Sequence, residues 1–327
     1  MLNVFKRNDA LSFVALVLLA MVLKVHLLMY PPAWSSLQGF MKATLFNFPG
    51  IEAFYQSNPI AWILLSALIQ TIFAVYLNFT LIRQKLFQQK TLVPAAVFLI
   101  YSAMVPACNI LSVAYISGML IFIAFSLSMD LYQMQDARSR VYNIGIFAAL
   151  GTLFFFPSVL FFLLFLVMIL ILRSANLKDM VAFVLGYLTP VYFAFGIRFL
   201  LQKKNTHFYF YKHLQLPLQV STFLYFGVIT LISILLLVYA AYLNNHAGYR
   251  IPIGVKKKWN TVFWYFFMAA LAGVFAPEFP AYTWIVAIIP FSIILSQCFL
   301  NNLEKYNTFT FYFFLLAVFG IQWFLNS

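Results

Sequence analysis

Long apolar runs alternate with short polar joints along almost the whole chain. A helix that crosses a bilayer needs about 20 mostly apolar residues. Measured against that length, the pattern predicts eleven spans, at roughly 11–29, 60–82, 92–107, 111–129, 142–156, 158–172, 180–200, 219–243, 260–276, 283–300 and 308–325. The fifth and sixth are short and meet at Pro157 in GTLFFFPSVLFF, where proline removes a backbone donor and breaks a helix. Read instead as one kinked span, they lower the count to ten and move every later joint to the other side.

The basic residues decide between eleven and ten, because cytoplasmic joints carry an excess of Lys and Arg. With eleven spans and the N-terminus inside, 14 of the 20 basic residues fall inside: Lys6, Arg7, Arg83, Lys85, Lys90, Arg138, Arg140, Arg173, Lys178, Arg250, Lys256, Lys257, Lys258 and Lys305. Lys24, Lys42, Arg198, Lys203, Lys204 and Lys212 remain outside. Fusing the fifth and sixth spans would put Arg173, Lys178 and the Lys256–Lys258 run outside and worsen the split. The expected fold is therefore an all-α polytopic transmembrane bundle of about eleven spans. Its N-terminus is cytoplasmic and its C-terminus lies on the outer, periplasmic side.

Two outer joints are long. In the first, Tyr30 to Asn58, the stretch WSSLQGFMKATLF sets Trp34, Leu37, Phe40, Met41 and Leu45 at helical spacing, with Gln38 and Lys42 on the other side. That pattern predicts an interfacial amphipathic helix. Pro49-Gly50 then reads as a turn, and Asn58-Pro59 leads into the next helix. The second long joint, QKKNTHFYFYKHLQLP, is basic and aromatic.

Composition agrees with this picture and narrows the function. The 327 residues are 65% hydrophobic and 8% charged, against about a quarter charged in soluble domains. A soluble enzyme and a disordered chain are excluded. The net charge of +13 follows from short basic joints between apolar runs, so nucleic acid is not the expected partner and membrane lipids are. The first run follows Lys6 and Arg7, is longer than a signal-peptide core and lacks an A-x-A site, which reads as a retained first helix. Cys108 and Cys298 stand alone in apolar segments, with no metal-ligand spacing, so no metal and no cofactor are expected. There is no phosphate-binding glycine loop and no metalloprotease motif.

Candidate chemistry then rests on few side chains. Of the seven acids only Glu52 and Glu278 fall on the outer side, so an outward-facing reaction that needs a carboxylate base has these two to choose from. Either also reads as a solvated loop carboxylate. Arg198, Lys203, Lys204 and Lys212 break the positive-inside trend, which suits either a bound phosphate or attraction to anionic headgroups. His207 and His213 lack a nearby acid to orient them. Lys24, near the outer end of the first span, either snorkels to the headgroups or faces a ligand.

The order of elements, with LNFTLIRQKLFQQKTLVPAAVFLIYSAMVP, SVAYISGMLIFIAFSLSMDLYQ and GIFAALGTLFFFPSVLFFLLFLVMIL, resembles the C-type membrane glycosyltransferases, which use polyprenyl-phosphate-linked sugars. The chain also looks like an uncharacterised group of Bacteroidota inner-membrane proteins. The resemblance implies a seven-span module over 1–202, followed by the outer basic loop and a four-span module over 203–327. It implies Glu52 as the base that activates an acceptor, with Glu278 as the alternative acid. It also implies a lipid-phosphate site formed by Lys24, Arg198, Lys203, Lys204 and Lys212, and a polyprenyl-phosphate sugar donor as partner. The family usually has an Asp soon after its first helix; here the first outer loop has none, and Glu52 comes late. That acid poverty favours the alternative, a non-catalytic subunit of an envelope complex such as an export or secretion assembly, with membrane-protein partners.

Single cysteines placed beside Glu52 and within 203–212 should react with an impermeant maleimide from one face of the membrane, and a cysteine beside Lys257 from the other. Labelling of the first two from opposite faces would contradict the even number of crossings, six, that the eleven-span reading puts between them.

Overall fold

The computed structural model describes residues 2–32, 49–87, 89–132, 134, 136–173, 177–200, 238, 252–275, 281–300, 311, 315 and 320, and every element among them is helical. The helices are α1 (Leu2–Lys6), α2 (Ala10–Val22), α3 (Val25–Met29), α4 (Pro49–Ser57), α5 (Pro59–Arg83), α6 (Val93–Met104), α7 (Val113–Met129), α8 (Arg138–Phe154), α9 (Leu160–Leu172), α10 (Leu177–Leu200), α11 (Ile253–Val274) and α12 (Ile285–Phe299). Among the described residues three segments, Pro59–Arg83, Leu177–Ile197 and Tyr282–Phe299, are long and apolar enough to cross a membrane. Ala10–Val22, Val93–Met104, Val113–Met129 and Phe156–Leu172 are apolar and shorter.

Helices occupy nine of the eleven expected segments among the described residues. The eighth and eleventh, 219–243 and 308–325, lie outside them apart from 238, 311, 315 and 320. The expected interfacial helix around 34–45 also lies outside the described residues. Pro49-Gly50 is not a turn: it opens α4, and a proline fits the first position of a helix because the amide it lacks has no partner there. Pro157 does separate two passes. Phe155 is extended, Phe156–Val159 forms a 3-10 turn, and the chain reverses. Ser117 Oγ in the first turns of α7 meets both Gly151 O of α8 (2.8 Å) and Ser158 Oγ ahead of α9 (2.8 Å). Further on, Ser128 at the far end of α7 meets Met168 Sδ of α9 at 3.6 Å. So α9 runs back along α7, and a single kinked helix is excluded.

Burial sorts the bundle into centre and rim. Every residue of α6 is buried, and so is nearly all of α12. Tyr101 of α6 packs on Phe291 of α12 with ring centroids 4.6 Å apart. Around them, α2, α5 and α10 show large apolar side chains outward, among them Leu18, Leu68, Ile72, Phe79, Leu185 and Phe193. Exposed apolar surface on that scale belongs against lipid or protein.

The two ends of the bundle differ in chemistry. At one end α5 and α7 finish and α8 and α11 begin. There Asp130 binds Arg83 (3.2 Å) and Arg140 (3.1 Å), and Gln84 accepts from Lys258 (2.8 Å). At this end too, Arg173 after α9 pairs with the fully buried Asp179 of α10 at 2.9 Å. The opposite end holds the turns Pro106–Asn109, Phe156–Val159 and Ala281–Trp284, which contain no charged residue.

Helices α8 and α10 touch backbone to backbone. A Cβ on Gly145 would lie within 3.0 Å of the Tyr187 amide and the Phe183 carbonyl, and one on Gly186 would strike the Tyr142 carbonyl. Close helix approach in a membrane relies on such small residues. Gly145→Leu and Gly186→Leu should each cost about 1–3 kcal/mol by overpacking, read as a lower melting temperature in detergent. Gly196→Leu, with open space at its Cβ, should leave the melting temperature unchanged. Equal tolerance at all three positions would refute the close crossing.

Candidate functional site

The first apolar run does not form one helix. It breaks at Leu23 and Lys24, between α2 and α3. Lys24 is only 2% exposed. Its ammonium donates to Ser66 Oγ (3.0 Å) on α5, to Asn109 Oδ1 (3.1 Å) and to the Asn109 carbonyl in the turn before α7. An ammonium has three donors, and all three are used. The acceptors are themselves fixed: Ser66 Oγ donates to Ile63 O (2.7 Å), and Asn109 Nδ2 donates to Leu23 O (3.0 Å). Next to them Gln70 Nε2 reaches Cys108 O at 3.3 Å.

Every one of these partners is neutral, and none of the ion pairs among the described residues includes Lys24. A lysine at the centre of a bilayer costs about 2.5–3.5 kcal/mol. Two features offset this. Charge-assisted hydrogen bonds are stronger than neutral ones, and Lys24 follows the C-terminal carbonyls of α2, where the helix dipole favours a cation. The ammonium thus staples three elements that are 42 and 85 residues apart in sequence. No spacing rule links such positions, so a sequence reading finds the lysine and misses its partners. The structure turns the head of Lys24 inward onto Ser66 and Asn109.

Helix α4 is fastened to the same end. Tyr55 Oη donates to Pro32 O at 2.6 Å, beyond α3, and Phe54 meets Trp62 of α5 edge-on at 6.3 Å. Glu52 is the fourth residue of α4. Arg198 stands near the last turn of α10, which runs from the Asp179 end toward this one. The side chains of Glu52 and Arg198 lie outside the described set, as do residues Lys203, Lys204, Lys212, His207, His213 and Glu278 entirely. Among the described residues no group of His, Cys, Asp or Glu is arranged to hold a metal ion. Of the site residues expected from sequence, the structure therefore places Lys24 in full, Glu52 and Arg198 by their helices only.

Breaking one side of the staple should cost more than removing it. Asn109→Leu takes one of three acceptors from a buried ammonium, a loss of about 3 kcal/mol, since an unsatisfied charged donor costs more than a neutral one. Lys24→Met leaves acceptors unfilled, about 1–3 kcal/mol. The double variant should melt above Asn109→Leu alone; strictly additive losses would show that the two residues do not interact.

Residues 40–324 match the model of a family of unknown function, DUF6427. No curated protein and no solved structure matches the chain. The match takes in α4 to α12, and the chain belongs to the DUF6427 family.

Proposed function

We propose that the chain is an eleven-span protein of the bacterial inner membrane, cytoplasmic at its N-terminus and periplasmic at its C-terminus, that binds a polyprenyl-phosphate-linked sugar on its outer face in the manner of a C-type glycosyltransferase. The orientation follows from the charge asymmetry of the bundle. Arg83, Arg140, Arg173 and Lys258 gather at one end, and the positive end of such a bundle faces the cytoplasm. The observation that carries the reading is the position of Glu52. It sits on a short helix that Tyr55 and Phe54 clamp at the end opposite the Asp130 network, where a loose loop would leave a solvated acid.

In this reading Glu52 takes the proton from an acceptor hydroxyl as the sugar is transferred, and Arg198, Lys203, Lys204 and Lys212 hold the lipid phosphate. Lys24, with its donors already spent on the protein, supports the break between α2 and α3. A second reading, a non-catalytic subunit of an envelope complex, draws support from α10, whose apolar window is only 17% buried and offers a long face to a partner.

Native mass spectrometry of the detergent-purified protein with undecaprenyl phosphate separates the two. Bound lipid should survive in Glu52→Gln and fall at least tenfold when Lys203 and Lys204 are both changed to Glu, whereas Glu52→Gln should abolish sugar transfer with the protein still folded and inserted. Equal retention by all three proteins, with transfer intact in Glu52→Gln, would sink the transferase reading and leave the subunit.

A further inference from the structure

The end of the bundle opposite Lys24 is electrostatically unfinished. Asp130 accepts from Arg83, Arg140 and Gln84, and Gln84 in turn accepts from Lys258. One carboxylate therefore holds two cations directly and a third, Lys258, through Gln84. Both guanidinium groups contact the same oxygen, Oδ2 of Asp130, which pins them side by side. Arg83 is braced further by Ser126 Oγ at 3.1 Å. Two more cations stand close in sequence to this network. Lys85 and Lys256 are exposed and form no side-chain contact among the described residues, while Lys257 lies over the Tyr132 ring at 5.8 Å. The other acids nearby do not balance them: Asp179 is taken by Arg173, and Asp136 is exposed in the joint before α8.

Two helices begin here, and each adds positive potential. The first turns of α8 and α11 contain no acid and have no side-chain cap. Instead Arg138 and Arg140 open α8, and Lys256–Lys258 open α11. Cations at helix N-termini oppose the dipole, and an anion relieves both the dipole and the unpaired amides. Lys85 shows strain as well. Its φ is +54°, the left-handed region that side chains rarely enter, at the turn that carries the chain out of α5.

An apolar lane leads to this spot. Leu68, Ile72 and Phe79 are each more than half exposed, and together with Arg83 they fall on one face of α5. A chain of methylenes lying on Leu68, Ile72 and Phe79 would end at the guanidinium of Arg83. A free phosphate has no use for that lane; a phospholipid does.

We propose that the network of Arg83, Asp130, Arg140 and Lys258 binds the phosphate of an anionic phospholipid, with its acyl chain along the exposed face of α5. Asp130 orders the two guanidiniums, and Lys85 and Lys256 supply the excess charge that selects an anionic headgroup over a zwitterionic one. The proposal needs the bundle to sit in a membrane and does not depend on the transferase reading.

Native mass spectrometry in detergent, with phosphatidylglycerol, phosphatidylcholine and inorganic phosphate as probes, tests it. Phosphatidylglycerol should be retained at least fivefold over phosphatidylcholine, and millimolar phosphate should not displace it. Because Lys85 and Lys256 are exposed and hold nothing else, changing both to Gln should bring the preference below twofold with the melting temperature unchanged, and Glu52→Gln should leave it intact. Adding Arg140→Gln should remove what remains. Equal retention of the two lipids, an unchanged preference in the Lys85/Lys256 double variant, or displacement by inorganic phosphate would each overturn the lipid site.

Discussion

A bilayer core offers no water to a polar group, and each unsatisfied one costs several kcal/mol. That constraint shapes the whole molecule. With 8% charged residues the chain has little else to bury, so its backbone satisfies itself in helices and its charges move to helix ends. Lys24 is the exception that follows the same rule. It is buried, and the protein supplies an acceptor for each of its three donors. Asp179, also fully buried, forms an ion pair with Arg173 at 2.9 Å.

The packing follows from what remains. Helices α6 and α12 have no polar face to show, and they occupy the centre. Ser102 and Ser292 inside the bundle return their hydroxyls to carbonyls one turn back, Leu99 O and Ile289 O, so they add no unpaired donor. Glycines at Gly145 and Gly186 let α8 and α10 meet backbone to backbone. The polar residues that do pair between helices then concentrate at the two ends: a neutral-acceptor staple around Lys24 and a cation-rich network around Asp130. An asymmetry of this kind gives the bundle a direction, and the proposed chemistry of each end follows from it. The end that holds Lys24 carries the clamped helix with Glu52, and the other gathers Arg83, Arg140 and Lys258 around Asp130.

Much of this was legible along the chain. Apolar run length marked the helices, and Pro157 marked a true reversal, because a proline between two short runs cannot sit inside one ladder of hydrogen bonds. The grouping of Arg83, Arg140, Arg173 and Lys258 at one end was foreshadowed by their place in alternate joints. The partners were not legible. Lys24 finds Asn109 across 85 residues, and Asp130 collects Arg83 and Arg140 from helices on either side of it; a hydropathy pattern reports how far a residue is from an apolar run and nothing of what faces it across the bundle. Pro49-Gly50 misled for a local reason, since the pair that commonly makes a turn can equally open a helix. Lys203, Lys204, Lys212 and Glu278 lie outside the described residues.

The account stands on the bundle axis lying along the membrane normal. Imaging the protein in lipid nanodiscs measures this directly. The lipid belt should encircle the exposed faces of α2, α5 and α10, with the Asp130 network in one headgroup layer and α4 in the other. A belt that crosses the bundle sideways, or one that leaves both of those features in the same layer, would contradict it.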